Sequence, residues 1–392
     1  MVWNAQATVS FLLVIATPIL VAAQDQAKES PERDTSAIVA AAGEPFVAIA
    51  LLRELPRQLG ATDLVELQHL DRNLEAPTTE AEREFARELL LVLARSSELR
   101  SLGYVHQVFE TVPWRRQDAA RAIAEFAIDQ RRRAADWRLL VRSLPVVDDD
   151  DARVILQSLQ MFPQRGTKPH WLREVILAGL RSGDVGKSEA AKLLSHWTGS
   201  QLHDGDPTKG PLSQWQAWFD EKYPELPEPI LPVDSPTSRY TYAKLLTFLG
   251  GERGAKGDPQ SGANVFEKAQ CIKCHRFGAR GEAMGPDLTN VRQRFQLKQI
   301  LEATVFPSQS ITDQHETTTI VTTDGQIFSG VLAAADGKIV VLQANGNKAI
   351  VDRRDIEEAL PSRKSAMPDG LLDPLSLDEI ADLFAYMRDR QQ

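Results

Sequence analysis

Both cysteines of this chain fall within one five-residue run, Cys271-Ile272-Lys273-Cys274-His275. No other feature restricts the fold as much. Two thiols three positions apart, followed at once by an imidazole, have the spacing to add to the two vinyl groups of one porphyrin and to set a nitrogen over its iron. A disulfide or redox pair has no need of the adjacent histidine, and the surrounding sequence lacks the βαβ pattern of a thioredoxin. A four-ligand zinc site needs two further Cys or His nearby, and the nearest, His315, sits in a strand-like segment. The run therefore reads as the covalent attachment site of one haem c, with His275 as an axial ligand.

Haem is attached to such a run outside the cytoplasm, so export is the next question. Residues 1–23 carry no charged side chain, and the apolar run Val9–Ala23 ends in the small residues Val21-Ala22-Ala23. That ending is a signal-peptidase pattern, although the basic segment that usually opens a signal peptide is missing. A retained membrane anchor is the alternative, but the stretch is short for a bilayer and contains Pro18. The expectation is a cleaved signal peptide over 1–23, no membrane span, and a periplasmic or otherwise exported protein. The formal net charge is −9, and the basic run Arg131 to Arg133 reads as a solvated helix face, so nucleic acid is not an expected partner.

At 392 residues the chain is too long for one ordinary core. From 36 to 223 apolar residues recur at three- and four-residue spacing, as in Phe85, Leu89, Leu90 and Leu93, or Ile123, Phe126 and Ala127. Thr79 and Glu82 have capping-box spacing at the head of a helix over 80–96. Helices of this length joined by short loops predict a HEAT-like α-solenoid, with an irregular bundle as the alternative because no clean repeat is visible. Trp114, Trp137, Trp171 and Trp197 are core candidates, and His69, His106, His170, His196 and His203 read as surface or packed residues. Trp215 to Phe219 reads as an aromatic lid on the last helices. Five prolines between Pro224 and Pro236 then mark a stiff linker over 224–239.

Beyond the linker, helices are expected over Tyr240–Leu249 and Asp258–Cys271, separated by a breaker run at 250–254, with a closing helix at Leu377–Arg390. Gly262 and Phe266 lie on one helix face and invite close approach of that closing helix, which presents Leu383, Phe384, Tyr386 and Met387. The carbonyl of Pro286, in Gly285-Pro286-Asp287-Leu288, is placed to accept from the second ring nitrogen of His275. For the iron's sixth ligand the candidate is Met367, in a loop held by Pro368 and Gly370. Met284 is the runner-up and His315 a further alternative, while Met387 reads as core. Phe266, Leu288, Phe295, Ile300, Leu301 and Leu383 are candidates for an apolar pocket, and Arg292 and Arg294 either pair with haem propionates or face solvent. Four β-rich runs between Thr317 and Asp352, separated by Asp324-Gly325, Asp336-Gly337 and Asn345-Gly346, predict a β-meander inserted at about 315–352.

Taken together, these pieces resemble the planctomycete-type haem-binding domain of c-type cytochromes: Gly262-x-x-x-Phe266, Cys271 to Phe277, Gly285-Pro286-Asp287-Leu288, the β-meander, Ser365-x-Met367-Pro368, and Asp378 to Tyr386. The match covers about 240–390, and in that family such a domain often follows helical repeats. The resemblance implies His275 and Met367 as axial ligands and electron transfer as the default role. The expected fold is mainly α, an N-terminal solenoid plus a C-terminal cytochrome c-like domain carrying the β insertion. The expected activity is that of an electron carrier rather than an enzyme, its partner a redox protein such as a dehydrogenase or another cytochrome. Two other readings remain: a haem enzyme or gas sensor with a labile sixth ligand, and a scaffold acting through the helical domain.

Overall fold

The structure, a computed structural model, describes residues 35–388 apart from 76, 78, 97–98, 130–131, 203–209, 310–316, 336 and 363. The leader, Arg131, His203 and His315 lie outside the described residues. The chain is mainly α, with one small antiparallel sheet. Among the described residues no helix is long and apolar enough to cross a membrane.

Five helices, Pro45–Glu54, Glu80–Arg95, Arg116–Asp129, Asp149–Gln160 and Gly183–Thr198, pack side by side in a row, each against the next. Another helix intervenes in the chain between each pair: Ala61–Arg72, Leu99–Thr111, Ala134–Ser143 and Pro169–Arg181. These pack against their neighbours in the row. The periodic apolar positions explain the arrangement, since Phe85, Leu89, Leu90, Leu93, Ile123 and Ala127 are all buried in a single cluster. Each such leucine contributes about 2 kcal/mol through the surface it removes from water. The capping box at Thr79 forms in both directions, Glu82 N to the Thr79 hydroxyl at 3.2 Å and Thr79 N to the Glu82 carboxylate at 3.1 Å. Trp137 and Trp197 are buried, Trp114 and Trp171 half-buried, and the Trp215 and Phe219 rings close the end of this core.

A second apolar cluster is built from Tyr240 to Met387. Its frame is the helix Pro259–Lys268 packed against the closing helix Leu377–Arg388. Gly262 makes the crossing possible: a Cβ there would fall 2.7 Å from the Tyr386 Cβ and overlap the Asp382 carbonyl. Asp258 caps the first helix through Gln260 N and Ser261 N, and Ser376 with Glu379 closes a capping box on the second. Two boundaries differ from expectation. The run at 250–254 holds one helical turn, Glu252–Ala255, and the helix expected to reach Cys271 stops at Lys268, because Gln270 takes a left-handed conformation (φ 62°).

The sheet also departs from a four-stranded meander. Strands β1 (Thr317–Thr322), β2 (Ile327–Ala335), β3 (Lys338–Leu342) and β4 (Lys348–Asp352) pair in sequence, but a fifth strand, β5 (Ile356–Ser362), returns beside β1, giving the order β4-β3-β2-β1-β5. Its Glu-rich, exposed sequence carries no strand alternation, so its conformation comes from pairing with β1. Gly325, Gly337 and Gly346 all take positive φ at the three hairpin turns. Gly325 N bonds Thr322 O while Thr322 N bonds Gln326 O, which makes that turn a three-residue loop with the glycine at the left-handed position. Ile320, Ile339, Val341 and Val351 form a small core of the sheet's own.

The proline-rich segment is bonded to what it connects. Arg173 donates to the carbonyls of Pro227 and Glu228, Gln216 to that of Pro229, and Tyr242 N to the Asp234 carboxylate. Lys298 pairs with Asp148 at 2.5 Å, and Arg173 reaches Gln309 at 3.0 Å, so the helical row and the C-terminal region are also joined directly.

Candidate functional site

After the helix Pro259–Lys268 ends, the left-handed Gln270 turns the chain into a short 3-10 segment, Cys271–Lys273. His275 N and Cys274 N both bond the Cys271 carbonyl, at 2.8 and 3.1 Å, which folds the five-residue run into a tight loop. The following residues fold back onto it. Glu282 N bonds Ile272 O, and Met284 N and Gly285 N both bond Cys274 O, at 3.1 and 2.7 Å. Three glycines allow this return. Gly278 and Gly281 take positive φ, and a Cβ on Gly281 would overlap the His275 carbonyl.

Two contacts help to fix the imidazole. His275 Nδ1 lies 2.8 Å from the Pro286 carbonyl, the acceptor expected from the sequence. A carbonyl only accepts, so Nδ1 carries the proton and Nε2 is the nitrogen with a lone pair to donate. Gly285 lies against the ring face, where a Cβ would sit 2.7 Å from Cε1 and 2.9 Å from Nδ1. In the sequence Gly285 reads only as the neighbour of Pro286; three glycines in eight residues, Gly278 to Gly285, are the signal for a loop this close.

Cys271 and Cys274 are both free thiols, half-buried. Burial pushes Cys271 up to about 11 and raises Cys274 as well. Dithiol redox catalysts show the opposite shift. Among the described residues no three His, Cys, Asp or Glu side chains converge as metal donors.

Behind the loop lie aromatic rings. Phe266, Phe277 and Tyr386 pack against one another in tilted pairs with centroids 4.5–6.3 Å apart, and all are buried. Ile300, Leu301 and Leu383 are buried in the same cluster, and Leu288 packs against it. Phe295 does not join them: it is 42% exposed, because the short helix Val291–Arg294 ends just before it and the chain there is extended. Arg292 and Arg294 donate to the carbonyls of Arg388 and Asp287, at 3.0 and 2.5 Å.

Met367 belongs to a separate loop. Its N–H bonds the Ser365 hydroxyl at 3.1 Å, and Ser365 N bonds the Ser308 hydroxyl at 3.1 Å, which ties the loop to the end of the helix Leu297–Val305. Met367 is half-buried and shares no hydrogen bond with the His275 loop among the described residues. Met284 stays in the turn on the His275 side, and Met387 is buried in the closing helix. No family model matches the chain, and no curated protein matches it.

Proposed function

We propose that the protein is an exported monohaem c-type cytochrome that carries electrons between protein partners. One observation carries the reading: an imidazole next to two thiols, its Nδ1 bonded to the Pro286 carbonyl and its face laid against Gly285. A histidine held this way has its tautomer and ring plane set in advance for donation from Nε2 to a metal. The bound haem supplies one-electron chemistry at iron. Cys271 and Cys274 would hold it by thioether bonds, and His275 and Met367 would ligate its iron. Phe266, Leu288, Ile300, Leu301 and Leu383 keep the surroundings apolar, which favours the reduced state and raises the potential. No side chain serves as acid, base or nucleophile. The C-terminal region is read as a cytochrome c-like frame of crossed helices with a β insertion. The helical row, in which alternate helices stack on one another, is read as an α-solenoid.

The test is the full chain produced alongside c-type maturation machinery. Its mass should exceed the polypeptide's by one haem, and Cys271→Ala/Cys274→Ala should lose that mass. The reduced protein should not bind carbon monoxide, whereas Met367→Ala should; carbon monoxide binding by the unaltered protein would favour the enzyme or sensor reading. Colourless material at the polypeptide mass would end the proposal.

A further inference from the structure

A cleft of about 330 Å³ opens where the helical row, the proline-rich segment and the helix Leu297–Val305 meet. None of the residues lining it belongs to the Cys271–His275 loop. Its walls are apolar at Leu231, Leu246 and Phe306, and the Phe306 ring lies 5.7 Å from that of Tyr242. Charges of both signs are set into those walls, and their pairing is uneven.

Lys298 and Glu302 stand one helical turn apart, the spacing at which opposite charges pair along a helix. Here they do not. Lys298 turns instead to Asp148, Nζ to Oδ2 at 2.5 Å, and the other oxygen of Asp148 faces Arg181 Nε at 3.5 Å. Two cations thus share one carboxylate, and both have donors to spare. Arg181 gives one N–H to the Leu144 carbonyl, while its buried Nε has no hydrogen-bond partner. An ammonium held by one carboxylate oxygen keeps two further protons.

Glu302 is left without an ion pair or hydrogen bond among the described residues, although Arg173 and Tyr242 feel its charge. Arg173 is occupied elsewhere, donating to the carbonyls of Pro227 and Glu228 and lying 3.8 Å from Glu174. Asp234, the remaining carboxylate of the cleft, accepts from Tyr242 N at 2.7 Å, where the positive end of the helix Tyr242–Gly250 offsets it. With Arg173 and Glu174 counted behind the wall, Arg173, Arg181 and Lys298 face Asp148, Glu174 and Glu302. The cleft is therefore balanced in total charge and polarised within, cationic around Lys298 and Arg181 and anionic at Glu302. The Tyr242 hydroxyl lies among these groups and donates to the Lys298 carbonyl at 3.3 Å. Burial and the Glu302 and Asp148 carboxylates push it up to about 12, so it keeps its proton and its oxygen can still accept.

We propose that this cleft binds a free α-amino acid with an apolar side chain. Its ammonium donates to Glu302 and the Tyr242 oxygen, its carboxylate accepts from Lys298 and Arg181, and its side chain lies against Leu246 and Phe306. A zwitterion meets both ends of the polarised cleft. A simple anion or cation satisfies one end and is repelled by the other, and leaves a buried group without its partner. Apolar walls with a few converging polar groups are the usual make-up of a small-molecule site. The inference is independent of the haem reading and gives the protein a second ligand. Because the occupant touches both the helical row and the C-terminal region, it ties the two together.

The test is calorimetric titration of the full chain, produced alongside c-type maturation machinery, with L-leucine and L-phenylalanine up to about 10 mM. At least one should bind, and its N-acetyl and amide derivatives, each lacking one charge, should bind about tenfold more weakly. Glu302→Gln keeps the side chain's shape and should erase the difference between the amino acid and its N-acetyl form. Lys298→Met should erase the difference between the amino acid and its amide. Glu357→Gln, the same change on an exposed residue of β5, should leave affinity within about twofold. If Lys298→Met fails to fold once Asp148 loses its cation, Leu246→Trp fills the cleft from a half-buried position and should abolish binding. No heat from either amino acid would overturn the inference. So would equal affinity for the three chemical forms, tighter binding of a derivative than of its parent, or an unchanged affinity in Glu302→Gln. Colourless protein that still bound the amino acid would sink the proposed function and leave this inference standing.

Discussion

The helical row and the C-terminal region bury different kinds of side chain. Among the described residues every buried charged side chain lies between Asp71 and Glu189, all of them in the helical row, while the C-terminal region buries no charged residue and only Thr317 and Thr322 among polar ones. In the row Arg115 is sealed from solvent, paired with Asp71 and donating to the Ala86 carbonyl, and Tyr104 completes the set with a 2.7 Å bond to Asp71. Such pairs add little net stability, but removing one partner leaves the other charge buried and alone, which is strongly destabilising. Around the candidate site the interior is apolar and the charges are kept to its rim. A dry interior suits a redox centre whose potential depends on excluding water. One region buries paired charges; the other keeps its charges at the rim.

The strongest way to break this contrast is to leave a charge alone in the row. Arg115→Ala should cost about 3–5 kcal/mol, since it strands the Asp71 carboxylate without its cation. Urea unfolding gives the loss, and amide exchange should show it across the helices from 61 to 129. Replacing both partners, Asp71→Leu/Arg115→Met, should recover most of it. The C-terminal region should respond to volume instead. Gly262→Val drives a side chain into the Asp382 backbone and the Tyr386 side chain, and should cost about 3 kcal/mol. Exchange should rise in Pro259–Lys268 and Leu377–Arg388 and stay unchanged in the row. If both variants loosen both regions alike, the two cores are one energetic unit.

How far the sequence revealed these regions depends on what shaped each part. The helices were legible because burial imposes a 3.6-residue period on Phe85 to Leu93, and the caps at Thr79 and Ser376 announce their starts. The bond between His275 and the Pro286 carbonyl was legible for another reason: an imidazole read as a ligand needs an acceptor for its second ring nitrogen, and Pro286 stands eleven residues on. Strand β5 was not, because Ile356-Glu-Glu-Ala-Leu is built of residues at home in a helix, and only the β1 edge makes it extended. Gly285 was half-legible, since a glycine before a proline signals a turn but not the ring lying on it. Phe295 was misplaced because a single aromatic between Arg294 and Gln296 carries no period to say which way the chain faces.

The smallest effect separates the regions by pH. Asp136 is fully buried at the head of the helix Ala134–Ser143. Burial by itself would raise its carboxyl, but hydrogen bonds from His106 at 2.9 Å and from Arg133 at 3.0 Å outweigh it and hold the group below 3.8. A carboxyl whose pKa is lower in the folded state stabilises the fold above the unfolded value and loses that contribution as pH falls through the folded one. Asp136→Asn should therefore cost about 1–3 kcal/mol at neutral pH, and the gap from the unaltered protein should narrow as pH drops below 3.8. Comparing the two proteins isolates this group from Asp118, whose carboxyl burial raises and whose contribution runs the other way. The C-terminal region has lowered carboxyls too, but Asp258 and Asp287 are exposed and Asp352 only half-buried, so solvent screens all of them. Amide exchange below pH 3.8 should thus open the helices near Asp136 before the crossed pair Pro259–Lys268 and Leu377–Arg388. The reverse order would mean that the crossed helices depend on ionised groups at their surface more than on the apolar crossing at Gly262.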